Sequence, residues 1–172
     1  MSTSAQQPRI IIVTGASQGI GHAIAQTFLK QGDIVIGCAF SSIEKAPHAK
    51  ELLDLYPEHF HYYSVDITRT ESIAEFIASV EQRFDRLDVL VSNAGKNVFK
   101  GIDCELEDWH HNLDLNLRSH WYMAKSCRNM LEKSKGRYSG HDLQPRLFNY
   151  ARMRAVQYHQ TSPAFAGTKP DH

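Results

Sequence analysis

The segment Arg9-Ile10-Ile11-Ile12-Val13 runs directly into Thr14-Gly15-Ala16-Ser17-Gln18-Gly19-Ile20-Gly21, and no other stretch constrains the fold as tightly. An unbroken β-branched run, with no polar alternation, marks a strand buried on both faces, as in a parallel sheet. Beyond the glycines, Ile20, Ala23, Ile24, Thr27 and Phe28 follow helical spacing as far as Lys30, and Gly32 supplies the stop. Glycines without a Cβ let the backbone turn sharply and approach a ligand. The helix that follows offers its unpaired N–H groups to an anion such as a pyrophosphate. The pattern is T-G-x-x-x-G-x-G, which departs from the G-x-G-x-x-G spacing of many dinucleotide sites.

The alternation repeats downstream. Ile34 to Phe40 reads as a second buried strand, Pro47 to Tyr56 as a helix opened by proline, and His61 to Val65 as a third strand. Thr68-Arg69-Thr70-Glu71 fits a capping box ahead of the stripe Ile73, Phe76, Ile77, Val80 and Phe84. Leu87 to Val91 gives a fourth strand, and Leu106 to Lys133 a long helical region with a break near Asn116. Strands alternating with helices imply right-handed βαβ units. The expected fold is an α/β, Rossmann-like, doubly wound parallel sheet of about four strands in the order 3-2-1-4. Helices flank it and an irregular C-terminal tail follows. Ligands of such sheets lie at the carboxyl ends of the strands. Here those ends are Thr14-Gly15, Phe40-Ser41, Asp66 and Asn93-Ala94-Gly95.

Composition narrows the partners. The 172 residues carry 19 basic and 19 acidic side chains, a neutral balance that argues against nucleic acid as a partner. The longest apolar run, Ile10–Val13, is far short of the roughly 18 residues a membrane span needs, so no membrane partner is expected. Met1 to Arg9 shows no basic segment followed by an apolar one, so a cytoplasmic location is expected. Cys38, Cys104 and Cys127 have no metal-ligand spacing and read as reduced thiols. His110 and His111 are adjacent, hence about 100° apart on a helix, and read as solvated surface. Glu105, Glu107 and Asp108 read as helix-start acids.

Neutrality hides an asymmetry. Residues 1–136 hold 14 basic and 17 acidic side chains, whereas residues 137–172 hold 5 and 2 and contain neither Ile nor Glu. The expected organisation is a flexible segment 1–8, a dinucleotide-binding domain 9–136 and an irregular or frame-shifted tail 137–172.

Four motifs in order, Thr14-Gly15-x-x-x-Gly19-Ile20-Gly21, Val65-Asp66-Ile67, Ser92-Asn93-Ala94-Gly95 and Leu115-Asn116-Leu117, make residues 9–136 resemble the short-chain dehydrogenase/reductase family. The resemblance implies hydride transfer between a nicotinamide dinucleotide and a small-molecule carbonyl or alcohol. It implies that Gly15, Ser17, Gln18, Gly19, Ile20 and Gly21 form the diphosphate loop. Asp66, beside Ile67, would hold the adenine amino group, a carboxylate being a natural acceptor for that donor. Asn93, Ala94 and Gly95 would steady the fourth strand and pass under the adenosine ribose. Asn116 would sit at a distortion of the long helix and hold a water of the proton relay, and Lys125 would approach the cofactor. The resemblance also implies a homo-oligomer through the long helix. At the end of the second strand stands Ala39-Phe40-Ser41-Ser42, without the acid that pairs ribose hydroxyls in NAD users; this favours NADP(H) over NAD(H). Gln18, in place of a loop arginine, pulls the other way.

The family's catalytic Tyr-x-x-x-Lys is absent. Tyr122 and Lys125 are one residue too close, and Tyr150-x-x-x-Arg154 with Ser139 upstream replaces lysine by the differently shaped arginine. Read one base further along, codons for Tyr138 to Gln144 permit Ile-Val-Val-Met-Ile-Ser-Ser. Those for Ala155 to Thr161 permit a tyrosine and a lysine four apart, with the serines twelve and thirteen residues before. A frame-shifted continuation of a reductase gene is therefore expected from residue 137, and the chain is expected to be catalytically incomplete. The other readings are a divergent relative with a natural disordered tail, and a non-catalytic dinucleotide-binding or dimerisation fragment. Without a fifth strand, the fourth would be an open edge.

Overall fold

The structure, a computed structural model, describes residues 7–96 and 100–140. Five strands, β1 (Ile10–Thr14), β2 (Ile34–Ala39), β3 (Phe60–Ser64), β4 (Val89–Ser92) and β5 (Arg137–Gly140), form one sheet in the order β3-β2-β1-β4-β5. Every neighbouring pair is parallel. Ile10 lies opposite Ile34 and Thr14 opposite Cys38, while Val13 pairs with Val91. This register brings the carboxyl ends of β1, β2 and β4 to one edge.

Helices α1 (Gly19–Lys30) and α2 (Pro47–Leu55) cover one face; α3 (Thr70–Phe84) and α5 (Ser119–Ser134) cover the other. The two faces sort the β1 side chains alternately. Ile11 and Val13 pack with Ala25, Leu29, Ala49 and Leu52, whereas Ile10 and Ile12 pack with Ile73, Phe76, Met123 and Cys127. Ile11 and Ile12 are both fully buried, and each such burial stabilises the fold by about 2 kcal/mol. At the amino end of β1, Arg9 donates from Nε to Asp33 Oδ1 at 2.9 Å, pinning the start of β1 to the start of β2.

Helix α4 (Leu106–Leu113) joins α5 through a π turn at Asp114–Arg118, which is the break expected near Asn116. Glu105 and Asp108 close a capping box at its start, so both acids do serve the helix terminus.

Two expectations change. The sheet has five strands, not about four, so β4 is interior and residues 137–140 belong to the sheet. The ladder asks only for peptide groups: Arg137 N–H donates to Asp88 O at 2.8 Å although Arg137, Ser139 and Gly140 are exposed. Residues 141–172, with Tyr150 and Arg154, lie outside the described residues, as do residues 1–6. The capping box at Thr68–Glu71 does not form, because Asp66 captures Thr68 first: its Oδ1 accepts from both the Thr68 backbone and its hydroxyl. Helix α3 accordingly starts one step later, with Arg69 as an N-cap that makes no side-chain bond.

Candidate functional site

The cleft is built from backbone before side chains. Gly15 and Gly19 adopt φ of +71° and +59°, the left-handed region that only glycine enters without strain. The Gly15 N–H donates to Cys38 O at 2.7 Å, folding the loop over the end of β2. A Cβ on Gly21 would lie 2.2 Å from Gly15 O, so loop and helix touch where any side chain would stand. No acidic residue occupies the first turn of α1, and Gln18 caps it without a side-chain bond. The helix N-terminus thus faces the cleft with its N–H groups and positive dipole end free of an internal anion.

Thr14 ties the loop to β4. Its buried hydroxyl accepts from the backbone N–H of Asn93 and of Ala94, each at 2.9 Å. Asn93 Nδ2 returns a bond to Thr14 O at 3.1 Å. On the far side of Ala94, a Cβ on Gly95 would sit 2.8 Å from Asn116 Oδ1. Asn116 clamps the next residue in both directions: Oδ1 accepts from Lys96 N–H at 3.0 Å and Nδ2 donates to Lys96 O at 2.9 Å. Nδ2 also contacts Asn112 Oδ1.

These elements enclose a cleft of about 810 Å³ at the carboxyl edge of the sheet. Of the residues the motifs single out, Gly15, Ser17, Gln18, Gly19, Ile20, Asp66, Ile67, Asn93, Ala94 and Gly95 line it. Gly21, Asn116 and Lys125 do not. Gly21 supports the loop from beneath, and the Asn116 side chain is engaged by the Lys96 backbone. The Lys125 ammonium lies over the rings of Trp121 and Tyr122, 5.1 and 5.9 Å from their centroids. Lys125 is therefore placed on the helix surface, where cation–π attraction holds it.

Sequence reasoning gave no cleft role to Thr68, Lys96, Leu115 or His111, all on the cleft wall. For Thr68 the signal was present in Asp66-x-Thr68, the spacing of an Asx turn. For His111 there was none, since its place at the rim depends on how α4 crosses the sheet edge. Phe40 lines the cleft and is 78% exposed. Its strand end is steadied by the Tyr62 hydroxyl, which donates to Ser41 O at 2.8 Å; burial pushes that phenol above its ordinary pKa. Cys38 also reaches the cleft wall, and burial pushes its thiol up to about 12, so it is an inert group there. Ser139 lies on β5 opposite Val91.

The description "short chain dehydrogenase" belongs to the family profile that matches residues 9–138. An uncharacterized oxidoreductase of Staphylococcus saprophyticus is 30% identical over 132 residues, covering 76% of this chain and 56% of the relative. Among solved structures, an alcohol dehydrogenase from Thermococcus sibiricus, complexed with 5-hydroxy-NADP, superposes with a TM-score of 0.72 at 30% identity. It covers 78% of this chain and 57% of its own. A metagenomic short-chain oxidoreductase in complex with NADP gives a TM-score of 0.70 at 26% identity, covering 77% and 60%. The chain spans less than two thirds of each of these relatives.

Proposed function

The chain belongs to the short chain dehydrogenase family, and from that membership we propose that its cleft binds a nicotinamide dinucleotide, NADP(H) in preference to NAD(H). The observation that carries this reading is the cradle itself. Gly15 and Gly21 let the loop pack against Ala94, Asn93 and the start of α1 where any Cβ would collide, and this close packing sets the open N-terminus of α1 at the cleft to meet the charge of a diphosphate. Gly15, Ser17, Gln18, Gly19 and Ile20 hold the diphosphate, and Asp66 accepts from the adenine amine. Asn93, Ala94 and Gly95 pass under the ribose. When bound, the nicotinamide supplies or accepts a hydride for a carbonyl or alcohol substrate. The preference for the 2′-phosphate is supported by the lack of an acid at Ala39-Phe40-Ser41-Ser42 and by the NADP in the metagenomic relative.

This polypeptide is an oxidoreductase in family and, on our reading, incomplete in catalysis. Asn116 holds a water of the proton relay on this reading, while its side chain fixes the Lys96 backbone. The serine, tyrosine and lysine of hydride transfer are supplied by a reading frame shifted near Gly136. The sequence of β5 supports this: a strand of a parallel sheet covered by helices is ordinarily a continuous apolar run, whereas Arg137-Tyr138-Ser139-Gly140, at the edge of the described sheet, gives the core only the half-buried Tyr138. The shifted codons permit Ile-Val-Val beginning at the position of Tyr138. Sequencing the transcript across codons 130–165 tests it; no single-base shift restoring Tyr-x-x-x-Lys would refute it. Turnover is tested with NADPH and a ketone panel, where binding without oxidation of NADPH is the expected result.

A second reading, a non-catalytic fragment that self-associates, is favoured by one observation. Leu106, Trp109, Leu113 and Leu117 form an exposed apolar stripe on α4 and the π turn, with Trp109 54% exposed. The partner is then a second copy. Among the described residues no helix is long and apolar enough to cross a membrane, and Cys38, Cys104 and Cys127 are free thiols. The reading places the chain in the cytoplasm.

A further inference from the structure

Arg118 closes the π turn and reaches across to the loop after β3. Its Nη2 donates to Thr68 O at 2.7 Å, between residues 50 apart in sequence. Its Nη1 is held by Asp114 Oδ1 at 3.0 Å, which fixes the direction of the guanidinium fork. Thr68 in turn donates twice to a single carboxylate oxygen, Asp66 Oδ1, from its backbone N–H at 3.0 Å and its hydroxyl at 2.6 Å. Among the described residues the other oxygen, Asp66 Oδ2, takes no hydrogen bond. Asp66 and Thr68 both line the cleft.

We propose that Thr68 and Arg118 are positioning residues that hold the Asp66 carboxylate with Oδ2 turned toward the cleft, and that they thereby set its preference for adenine over other bases. The inference rests on the dinucleotide reading above. A carboxylate on an exposed loop rotates freely, and a ligand that uses it must first order it. Here one oxygen is already satisfied by two donors on its own loop, and that loop is anchored to the π turn. The ordering cost is met on folding, so the free lone pairs of Oδ2 meet an amine without rearrangement. A base that presents a carbonyl at that point sets acceptor against acceptor, with a fixed carboxylate unable to turn away.

The test uses the whole 172-residue chain, titrated with NADPH and with its hypoxanthine counterpart, in which a carbonyl replaces the adenine amine. The native chain is expected to bind the adenine form about tenfold more tightly, the scale of one hydrogen bond to a charged group. Thr68→Val and Arg118→Met should each cut that ratio to about threefold or less, by weakening the adenine form and relieving the clash with the hypoxanthine form. Thr68→Ser, which keeps the hydroxyl, should restore the ratio. Arg118 is half exposed, so its variant tests the idea even if Thr68→Val disturbs folding. Variants that weaken both ligands equally would show a merely structural role and overturn the proposal, as would variants that keep the full ratio. Equal binding of both forms by the native chain would remove the role of Asp66. Binding of neither by a folded native chain would instead overturn the dinucleotide reading and this inference with it.

Discussion

Asn116 and Lys96 hold each other by a reciprocal pair of hydrogen bonds, the Asn116 amide bonding both the N–H and the C=O of Lys96 at 3.0 and 2.9 Å. One side chain from a π turn thus acts as a short strand partner for the loop that leaves β4. The distortion of the helix has a geometric use: the extra residue turns Asn116 toward a backbone that a regular helix would not address.

Asn116→Ala should therefore release that loop while leaving the core intact. Hydrogen exchange at the Lys96 amide is expected to speed up about tenfold or more, with little change in the midpoint of urea unfolding. Unchanged exchange at Lys96 would show that the clamp holds nothing.

Gly19 and Gly21 separate two kinds of glycine requirement. Gly19 has φ of +59° and nothing within 4 Å of a built Cβ, so Gly19→Ala costs only backbone strain, about 1 kcal/mol. Gly21→Ala instead drives a methyl into Gly15 O, and about 2 kcal/mol or more should be lost together with dinucleotide binding. Urea unfolding and NADPH titration of the two variants check the contrast.

Thr14→Val removes the acceptor of two backbone donors, Asn93 N–H and Ala94 N–H, at a buried position. A loss of about 2 kcal/mol is expected, and Thr14→Ser, which keeps the oxygen, should recover most of it.

Alkaline pH should destabilise the fold through its buried thiols. Burial pushes Cys38 up to about 12 from an ordinary 9.0, and Cys127 moves in the same direction. Above about pH 9 the unfolded chain releases protons that the folded chain retains. Stability is therefore constant with respect to these groups below pH 9 and falls by about 1.4 kcal/mol per pH unit for each thiol above it. Cys38→Ala should halve that slope between pH 9 and 11; an unchanged slope would mean the buried thiol contributes nothing.

How much of this was legible depended on the range of the interaction. The β1 strand, the glycine loop and α1 are local, and Ile10 to Gly32 reads directly as strand, turn and helix. Asp66 and Asn93 were found because their residue types serve a backbone-determined place at a strand end. The failures are competitions between partners. Thr68 suits an N-cap equally well, and only the position of the Asp66 carboxylate decides that its hydroxyl turns back. Lys125 lies three and four residues from Tyr122 and Trp121, and its ammonium settles over their rings instead of reaching the cleft. Strand β5 was missed because hydropathy carries no trace of a strand whose ladder is made by peptide groups alone.

Association through α4 is tested by Trp109→Glu, which places a charge in the exposed stripe of Leu106, Leu113 and Leu117. Sedimentation should show the native chain as a dimer or larger and the variant as a monomer. A native monomer at all concentrations would refute self-association.

The central claim is that the carboxyl edge of this sheet holds a nicotinamide dinucleotide, and a direct binding titration tests it. NADPH fluorescence is followed as the full chain is added, with adenosine 2′,5′-bisphosphate as competitor. The account predicts saturable binding at one site per chain, displaced by the competitor and weakened about tenfold or more by Asp66→Ala. No saturable binding by a chain that circular dichroism shows to be folded would contradict it.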